Sequence, residues 1–450
     1  MTTSPHKIVS SFPTKMADYV NRRIAVVPFI AVWSVYFFLL ATAGYTASRS
    51  GLKEAIVYQV LFVLAVCAPV LLLAAPRAPV VTSTDSFDRS VIASSLSIGV
   101  IALACLVADR LVVQGIDYSG GACIAREQMT RLGLERQGVS SLLSVVGQLF
   151  GYAYFPAVTL VVTRLVPRKT FWLVMGIAFC LMMVQAQVAA SRSPLILFAS
   201  FIFAGICIRV AEGGLPRIKP LDIVLTIVFG LIAAGFVLSV FSCRAAASNQ
   251  TTAEYAQGFT EFLGAKEAVE HGAESQWGWR KTYWGGLFSI AALYFVHSAY
   301  TFAGIISLPA DSQILTLDGP IYLLQRVGLH ISSSDANPYL SGRFPSLPGT
   351  LYHDGGLLAV LIGGLVLGLS LWASSHLVSR YKANVVMSGV ACAVMSIAYT
   401  SPLLLATNIM AFPFICFGFL SVPIIAYLGL SASRKYLKKI STYPKIKDGE

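Results

Sequence analysis

The chain alternates between long apolar stretches and short polar ones. A helix that crosses a bilayer needs about 20 mostly apolar residues. Stretches of this kind predict ten transmembrane helices, at residues 24–47, 55–75, 91–108, 139–163, 171–190, 193–208, 223–241, 355–377, 383–399 and 402–430. The pattern therefore predicts an all-α polytopic membrane protein with about ten transmembrane helices.

An eleventh stretch, residues 282–308, is apolar enough to cross as well. One more crossing would place the basic C-terminal tail outside, against the preference of Lys and Arg for cytoplasmic segments. We therefore expect a short helix here that lies on the outer face or re-enters the membrane from it. Tyr283 and Trp284 suit that position, because their rings combine an apolar body with a polar tip.

Basic residues set the orientation of the chain. Most of the 33 Lys and Arg residues fall in the N-terminal segment, in alternate short loops and in the C-terminal tail. Cytoplasmic segments carry such an excess, so both termini are predicted to be cytoplasmic. The chain then divides into an N-terminal bundle of about seven transmembrane helices (1–241), a large periplasmic loop (242–354), and C-terminal helices with a basic cytoplasmic tail (355–450).

Composition excludes several classes of protein. Hydrophobic residues make up 56% of the chain and charged residues only 12%, whereas soluble domains average about 25% charged residues. This excludes a soluble enzyme, a disordered protein and a disulfide-stapled secreted module. The net charge of +12 reflects topology and contact with anionic membrane lipids, so we expect no nucleic-acid partner.

Common cofactor motifs are absent. The sequence contains no GxxxxGK run and no HExxH pair, and its eight cysteines form no CxxC, so we expect no metal and no cofactor. Only Cys123 and Cys243 are predicted to lie outside the membrane. We expect two free thiols, and a disulfide between them is the alternative. Gly364 and Gly368 form a small-xxx-small pair, which is typical of close helix packing.

Three candidate residues are arginines at the outer ends of spans. Arg192 lies in a hairpin so tight that its guanidinium must stay at the membrane boundary. It can bind a phosphate there, or it can reach the phospholipid head groups as Lys would. Arg280 and Arg343 flank residues 282–308 and the following loop. An external arginine is more often a solvated charge than a ligand, but Arg343 lies in a Pro- and Gly-rich loop that leads into a span.

Two further candidates, His353 and Asp354, open the next predicted span. Either side chain can act as a general base at the membrane interface. Asp354 can also cap exposed N–H groups at the start of this helix, and the two roles are compatible. Arg126 lies in the first long outer loop, where ion pairs within the loop are the simpler explanation for most charged residues.

Three local features share an arrangement with a known family. The first is Asp109–Arg110 with Gly115–Ile116–Asp117–Tyr118 and Ala125–Arg126–Glu127, and the second is Ser191–Arg192–Ser193. The third is GTLYHDGG at 349–356, followed by a helix with GGLVLG at 363–368. Together with the topology, they resemble the bacterial O-antigen polymerase family (Wzy-type oligosaccharide repeat-unit polymerases). The family has Asp-Phe-Gly near the third feature, whereas Gly355 stands where that Phe would be.

This resemblance implies a GT-C-like membrane glycosyltransferase at the periplasmic face of the bacterial inner membrane. Such an enzyme moves a growing glycan from undecaprenyl diphosphate to the sugar of a new lipid-linked repeat unit, without metal or nucleotide sugar. A chain-length regulator is a further partner that the resemblance allows. In this interpretation His353 and Asp354 are catalytic, and the diphosphate is bound by Arg126, Arg192, Arg280 and Arg343.

Other functions remain open at this point. An O-antigen ligase uses the same chemistry on a different acceptor. A transporter or flippase of lipid-linked glycans would need ionisable residues near the middle of the membrane. The predicted spans are nearly free of them, and their most polar members are Gln148, Gln185, Gln187 and Asn408. A membrane scaffold would leave the outer Arg, His and Asp residues without a role.

Overall fold

The computed structural model describes residues 25–42, 45–47, 50–74, 86–135, 141–211, 219–267, 282–308, 314–321, 343–380 and 384–441. Within these residues, nine helices are long and apolar enough to cross a membrane. Two shorter apolar helices, Val26–Thr42 and Val385–Thr400, accompany them. The prediction of an all-α, polytopic membrane protein is therefore confirmed at this level.

The helices are numbered here in chain order. They are α1 (Val26–Thr42), α2 (Leu52–Leu72), α3 (Ser86–Ala108), α4 (Ala122–Glu135), α5 (Leu142–Phe150), α6 (Phe155–Thr163), α7 (Arg168–Val188), α8 (Ser193–Ala211), α9 (Pro220–Ala247), α10 (Thr252–Leu263), α11 (Tyr283–Ile306), α12 (Leu347–Arg380), α13 (Val385–Thr400) and α14 (Ala411–Ser441). Two three-residue strands, β1 (Tyr45–Ala47) and β2 (Ala265–Glu267), pair antiparallel.

One predicted span is interrupted, and another is preceded by a break in its helix. The span at 139–163 contains both α5 and α6, and Pro156 lies in the first turn of α6, where its missing N–H leaves no hydrogen bond unmade. In α12 the helical conformation breaks at Gly355 and Gly356. Gly356 has a φ of +63°, in the left-handed region that glycine adopts without steric cost. Residues 347–354 therefore form a separate helical segment of about two turns before the predicted span.

Glycines bring α12 against α2. A Cβ added at Gly364 would lie 2.8 Å from the Cβ of Ala65, and one at Gly368 would collide with the carbonyl oxygen of Val66. Without side chains at these two positions, the backbones can approach closely, as small residues allow in membrane helix pairs. The small-xxx-small pair is a packing feature, as its sequence indicates.

Both ends of α11 contact the same end of the bundle. At its start, the Tyr283 carbonyl accepts a hydrogen bond from Thr252 Oγ1 (3.0 Å), and Tyr283 OH donates to Ser242 Oγ (3.0 Å). Near its other end, Tyr300 OH donates to the carbonyl of Tyr45 in β1 (3.3 Å). We call this end, which carries β1, β2, α4, α10 and the turn at 189–192, the loop end.

The α11 helix is longer and more buried than expected from the sequence. It runs unbroken for 24 residues, and 72% of its apolar stretch is buried, against 6% for α9. The expectation that this helix is short was therefore wrong. It is buried because it packs against neighbours on several sides. Leu293 of α11 belongs to the largest cluster of buried apolar side chains, which also contains Phe29, Leu160 and Ala391. A helix from segment 242–354 is thus part of the bundle core.

Candidate functional site

A cavity of about 320 Å³ lies at the loop end, between the end of α3, the turn from α7 to α8, and the starts of α12 and α14. Arg110 is the only charged side chain among the described residues that line it, and none of them is Asp or Glu. Its polar lining consists of Arg110, Gln148, Tyr152, Gln185, Ser191, Ser193, Tyr294, Thr350 and Asn408. Its volume is near the lower end of the range of about 300–1,000 Å³ for small-molecule sites.

Arg110 provides the cation in the cavity wall. It lies in a π-helical turn, Asp109–Val113, that continues α3, and such turns are frequent at functional sites. Its Nη1 donates to Gln114 Oε1 (2.7 Å), and Gln114 Nε2 donates to the buried carboxylate of Asp109 (2.5 Å). Ser141 Oγ donates to the other oxygen of Asp109 (2.5 Å). The Nε of Arg110 is buried and has no hydrogen-bond partner among the described residues.

Arg192 is held between two aromatic rings beside this cavity. Its Cζ lies 4.3 Å from the ring centroid of Phe241 and 4.4 Å from that of Tyr294. Its Nη1 is buried with no hydrogen-bond partner among the described residues. Ala190, in the same turn, has a φ of +45°, which confirms how tight the hairpin is. Arg192 does not itself line the cavity, but its neighbours Ser191 and Ser193 and the ring of Tyr294 do.

Three guanidinium groups lie near one another at this point. Burial lowers the pKa of Arg192, and repulsion from Arg244 and Arg126 lowers it further, while Tyr294 acts in the opposite direction. Desolvation of its guanidinium also lowers the pKa of Arg126, with repulsion from Arg244 adding to the effect. An anion bound here would relieve both the repulsion and part of the desolvation cost.

A disulfide helps to assemble this arginine cluster. Cys123 in α4 and Cys243 near the end of α9 are bonded, with their Cα atoms 6.0 Å apart. Arg126 lies one helical turn after Cys123, and Arg244 follows Cys243 directly. The expectation of two free thiols was therefore wrong. Sequence could not reveal the pairing, because it depends on how α4 folds back onto α9.

His353 and Asp354 form a separate polar group at the start of α12. The carboxylate of Asp354 accepts hydrogen bonds from the backbone N–H groups of Leu315 (2.7 Å) and Thr316 (2.9 Å). Asp354 thus caps the short turn at Leu315–Leu317, and it ends the helical segment 347–354 rather than opening the span as predicted. His353 Nδ1 lies 3.3 Å from Asp354 Oδ1, and His353 Nε2 is buried without a hydrogen-bond partner among the described residues.

Asn408 connects this polar group to the cavity. Its Nδ2 donates to the carbonyl of Leu315 (2.7 Å), in the turn that Asp354 caps, and its side chain lines the cavity. Thr350, about one helical turn before His353, also lines the cavity. Asn408 thus links the turn that Asp354 caps to the cavity wall, although His353 and Asp354 are not themselves among the residues that line the cavity.

One predicted arginine, Arg343, does not join this region. Arg343 packs over the ring of Phe262 at 4.3 Å, and its Nε donates to the Phe262 carbonyl (2.9 Å), at the C-terminus of α10. Its neighbour Phe344 lines the cavity instead. Arg280 lies outside the described residues. The structure thus brings Arg126 and Arg192 together and gives Arg343 a contact with α10.

Sequence reasoning missed several residues of the site. Arg110 was not selected as a site residue, although an arginine directly after an apolar span is a signal for an interfacial site. Gln148, Gln185 and Asn408 were noted only as polar exceptions within spans, and all three line the cavity. His297 was not selected either; it is buried, and its ring stacks on Tyr294 with centroids 5.2 Å apart.

Among the described residues, no group of three or more His, Cys, Asp or Glu side chains is placed to hold a metal ion. The site offers instead cationic donors, neutral amides and hydroxyls, and one His–Asp pair. These groups can bind an anion and accept a proton nearby. No protein-family model, curated protein or solved structure matches this chain.

Proposed function

We propose that this protein is a membrane glycosyltransferase of the O-antigen polymerase type. It would join undecaprenyl-diphosphate-linked oligosaccharide repeat units into O-antigen or exopolysaccharide at the periplasmic face of a bacterial inner membrane. One observation carries the proposal. The cavity at the loop end contains Arg110, adjoins the Arg126–Arg192–Arg244 cluster, and has no carboxylate among its described lining residues.

The arginines suit a diphosphate leaving group. In the transfer, the bond between the sugar C1 and the diphosphate oxygen breaks while the acceptor hydroxyl oxygen bonds to C1. Negative charge then develops on the diphosphate, and guanidinium groups stabilise it by charge-assisted, often bidentate hydrogen bonds. Arg110 Nε and Arg192 Nη1 are buried donors without a hydrogen-bond partner among the described residues, which supports their assignment to this anion.

His353 is our candidate for the general base. The acceptor hydroxyl loses its proton during the transfer, and a positioned histidine contributes about 10²–10⁴-fold to such a step. Asp354 can accept a hydrogen bond from the Nδ1–H of His353, which leaves the Nε2 atom as the proton acceptor. Because the backbone of Leu315 and Thr316 holds Asp354 in place, the carboxylate would orient His353 rather than react itself.

Three observations support a periplasmic loop end. The distribution of Lys and Arg favours it. The Cys123–Cys243 disulfide belongs to an oxidising compartment, and the periplasm is one. The contacts at both ends of α11 are compatible with a helix that does not cross, which leaves ten crossings and two cytoplasmic termini. A reporter fused after Ser332 should therefore be active outside the cytosol, and a cytosolic signal would overturn the orientation.

Complementation of a strain that lacks the gene tests the activity. Arg110→Ala and Arg192→Ala should each leave single repeat units on the surface lipid, while the wild type makes long chains. Arg131→Ala is the matched control, because Arg131 is an exposed arginine on α4. Equal expression of the variants is checked by immunoblot. Long chains in both the Arg110→Ala and the Arg192→Ala strains would refute the role of these arginines.

The same experiment separates the alternatives. Loss of an O-antigen ligase leaves polymer attached to the polyprenyl carrier, because polymerisation precedes transfer to the surface lipid. Loss of a flippase or transporter of lipid-linked glycans leaves repeat units on the cytoplasmic side. Single repeat units on the surface lipid are expected only when polymerisation fails. Either of the first two outcomes in the deletion strain would replace our proposal.

A further inference from the structure

A second and larger cavity lies between α7, α8 and α9, away from the loop end. Its volume is about 820 Å³, and most of the residues that line it are apolar. On α7 it extends from Arg168 to Met182, which corresponds to about 21 Å along a helix. Half of the hydrocarbon core of a bilayer measures about 15 Å, so the groove is long enough for the chain of a lipid in one leaflet.

The groove exists because α9 stands apart from the bundle. Only 6% of the apolar stretch of α9 is buried. Within the groove, side chains bridge the gap to α7. Phe229 stacks on Phe179 with centroids 4.6 Å apart, and Asp222 accepts hydrogen bonds from Arg168 Nε (2.8 Å) and Trp172 Nε1 (2.7 Å). The remaining space of the groove is lined mostly by apolar side chains.

Charge at one end of the groove indicates what head group it would take. The charged residues among its described lining residues are Arg168, Arg209 and Asp222. Lys169 and Lys219 are next to this end in the sequence and are exposed. This end is therefore basic, and it lies opposite the loop end. Basic residues at a membrane surface attract anionic lipids, by about 1 kcal/mol per residue.

We propose that the groove binds one anionic phospholipid, with an acyl chain between α8 and α9 and its phosphate beside Arg168 and Arg209. A hydrocarbon chain fits the apolar walls, and the basic rim favours an anionic over a zwitterionic head group. This inference does not depend on the proposed glycan chemistry, because the groove shares no lining residue with the cavity at the loop end.

Two glycines of α9 supply a matched pair of variants. A Cβ added at either Gly230 or Gly235 meets no atom within 4 Å. Only Gly230 lines the groove. Gly230→Leu would fill the groove, whereas Gly235→Leu adds the same side chain elsewhere on the same helix. Both changes replace glycine by a better helix former, so neither is expected to impair folding.

Native mass spectrometry of the purified full chain, stripped of lipid and titrated with dioleoyl-phosphatidylglycerol, tests the proposal. The wild type and Gly235→Leu should each bind one lipid tightly, and Gly230→Leu should not. Dioleoyl-phosphatidylcholine should bind the wild type about fivefold more weakly. The charged lining residues Arg168, Arg209 and Asp222 together carry one net positive charge, which favours the anionic head group. Equal binding of phosphatidylglycerol by the two glycine variants, or equal binding of both lipids by the wild type, would overturn the proposal.

Discussion

Replacement of Arg192 gives the most direct test of the proposed transfer site. Arg192→Ala removes a guanidinium that lies between the rings of Phe241 and Tyr294. Loss of one donor to a developing anion typically costs about 10²–10³-fold in rate, and we expect a decrease of that size. Arg192→Lys keeps the charge but loses the planar fork that bonds two phosphate oxygens, so we expect an intermediate rate, at least about tenfold below wild type.

Stability should change little in the same variants, because two contributions oppose each other. Each desolvated cation–π contact contributes up to about 2 kcal/mol, and Arg192→Ala loses two of them. The same change removes a partly buried charge whose desolvation and repulsion by Arg126 and Arg244 cost several kcal/mol. We therefore expect a loss of activity without a comparable loss of thermal stability in detergent.

The rings provide an independent check on this reasoning. Tyr294→Phe keeps the ring over Arg192 and should retain near wild-type activity, whereas Tyr294→Leu should lower the rate by about tenfold, equivalent to about 1.4 kcal/mol of lost positioning. Initial rates are measured with purified protein and polyprenyl-diphosphate-linked repeat units, using Arg131→Ala as the control. An Arg192→Ala rate within twofold of wild type would refute the diphosphate role of Arg192.

Three further predictions concern other parts of the chain. If the carboxylate orients His353 as the base, Asp354→Asn should lower the transfer rate by about 10²–10⁴-fold and shift the pH profile of that rate. An unchanged pH profile would exclude this orienting role of Asp354. Reductant should lower the melting temperature of the wild type, by the equivalent of about 2–5 kcal/mol, but not that of the double variant Cys123→Ser, Cys243→Ser. Gln59 is fully buried and donates to Tyr36 OH (3.1 Å) and Ser346 Oγ (3.4 Å). Gln59→Ala should cost about 2–5 kcal/mol in unfolding free energy through the cavity it leaves, and Gln59→Leu less than about 1.5 kcal/mol; equal melting temperatures would contradict this.

The transmembrane helices could be predicted from the sequence because the bilayer imposes the requirement locally. Each span must be apolar over its own length, so the pattern at 193–208 or 355–377 indicates a helix without reference to the rest of the chain. The tight turn at Arg192 follows in the same way, from the short distance between two spans. The packing role of Gly364 and Gly368 could be predicted for the same reason, since their spacing places both on one helix face.

Contacts between distant segments were decided only by the tertiary structure. The sequence does not show that Phe241 and Tyr294 enclose Arg192, or that Arg343 contacts the end of α10. It does not show that Asp354 caps a turn formed by Leu315 and Thr316. These contacts depend on how helices pack against one another, and many arrangements satisfy the same apolar pattern. Hydrophobicity therefore determined which segments enter the membrane, and side-chain packing determined which polar groups meet at its edge.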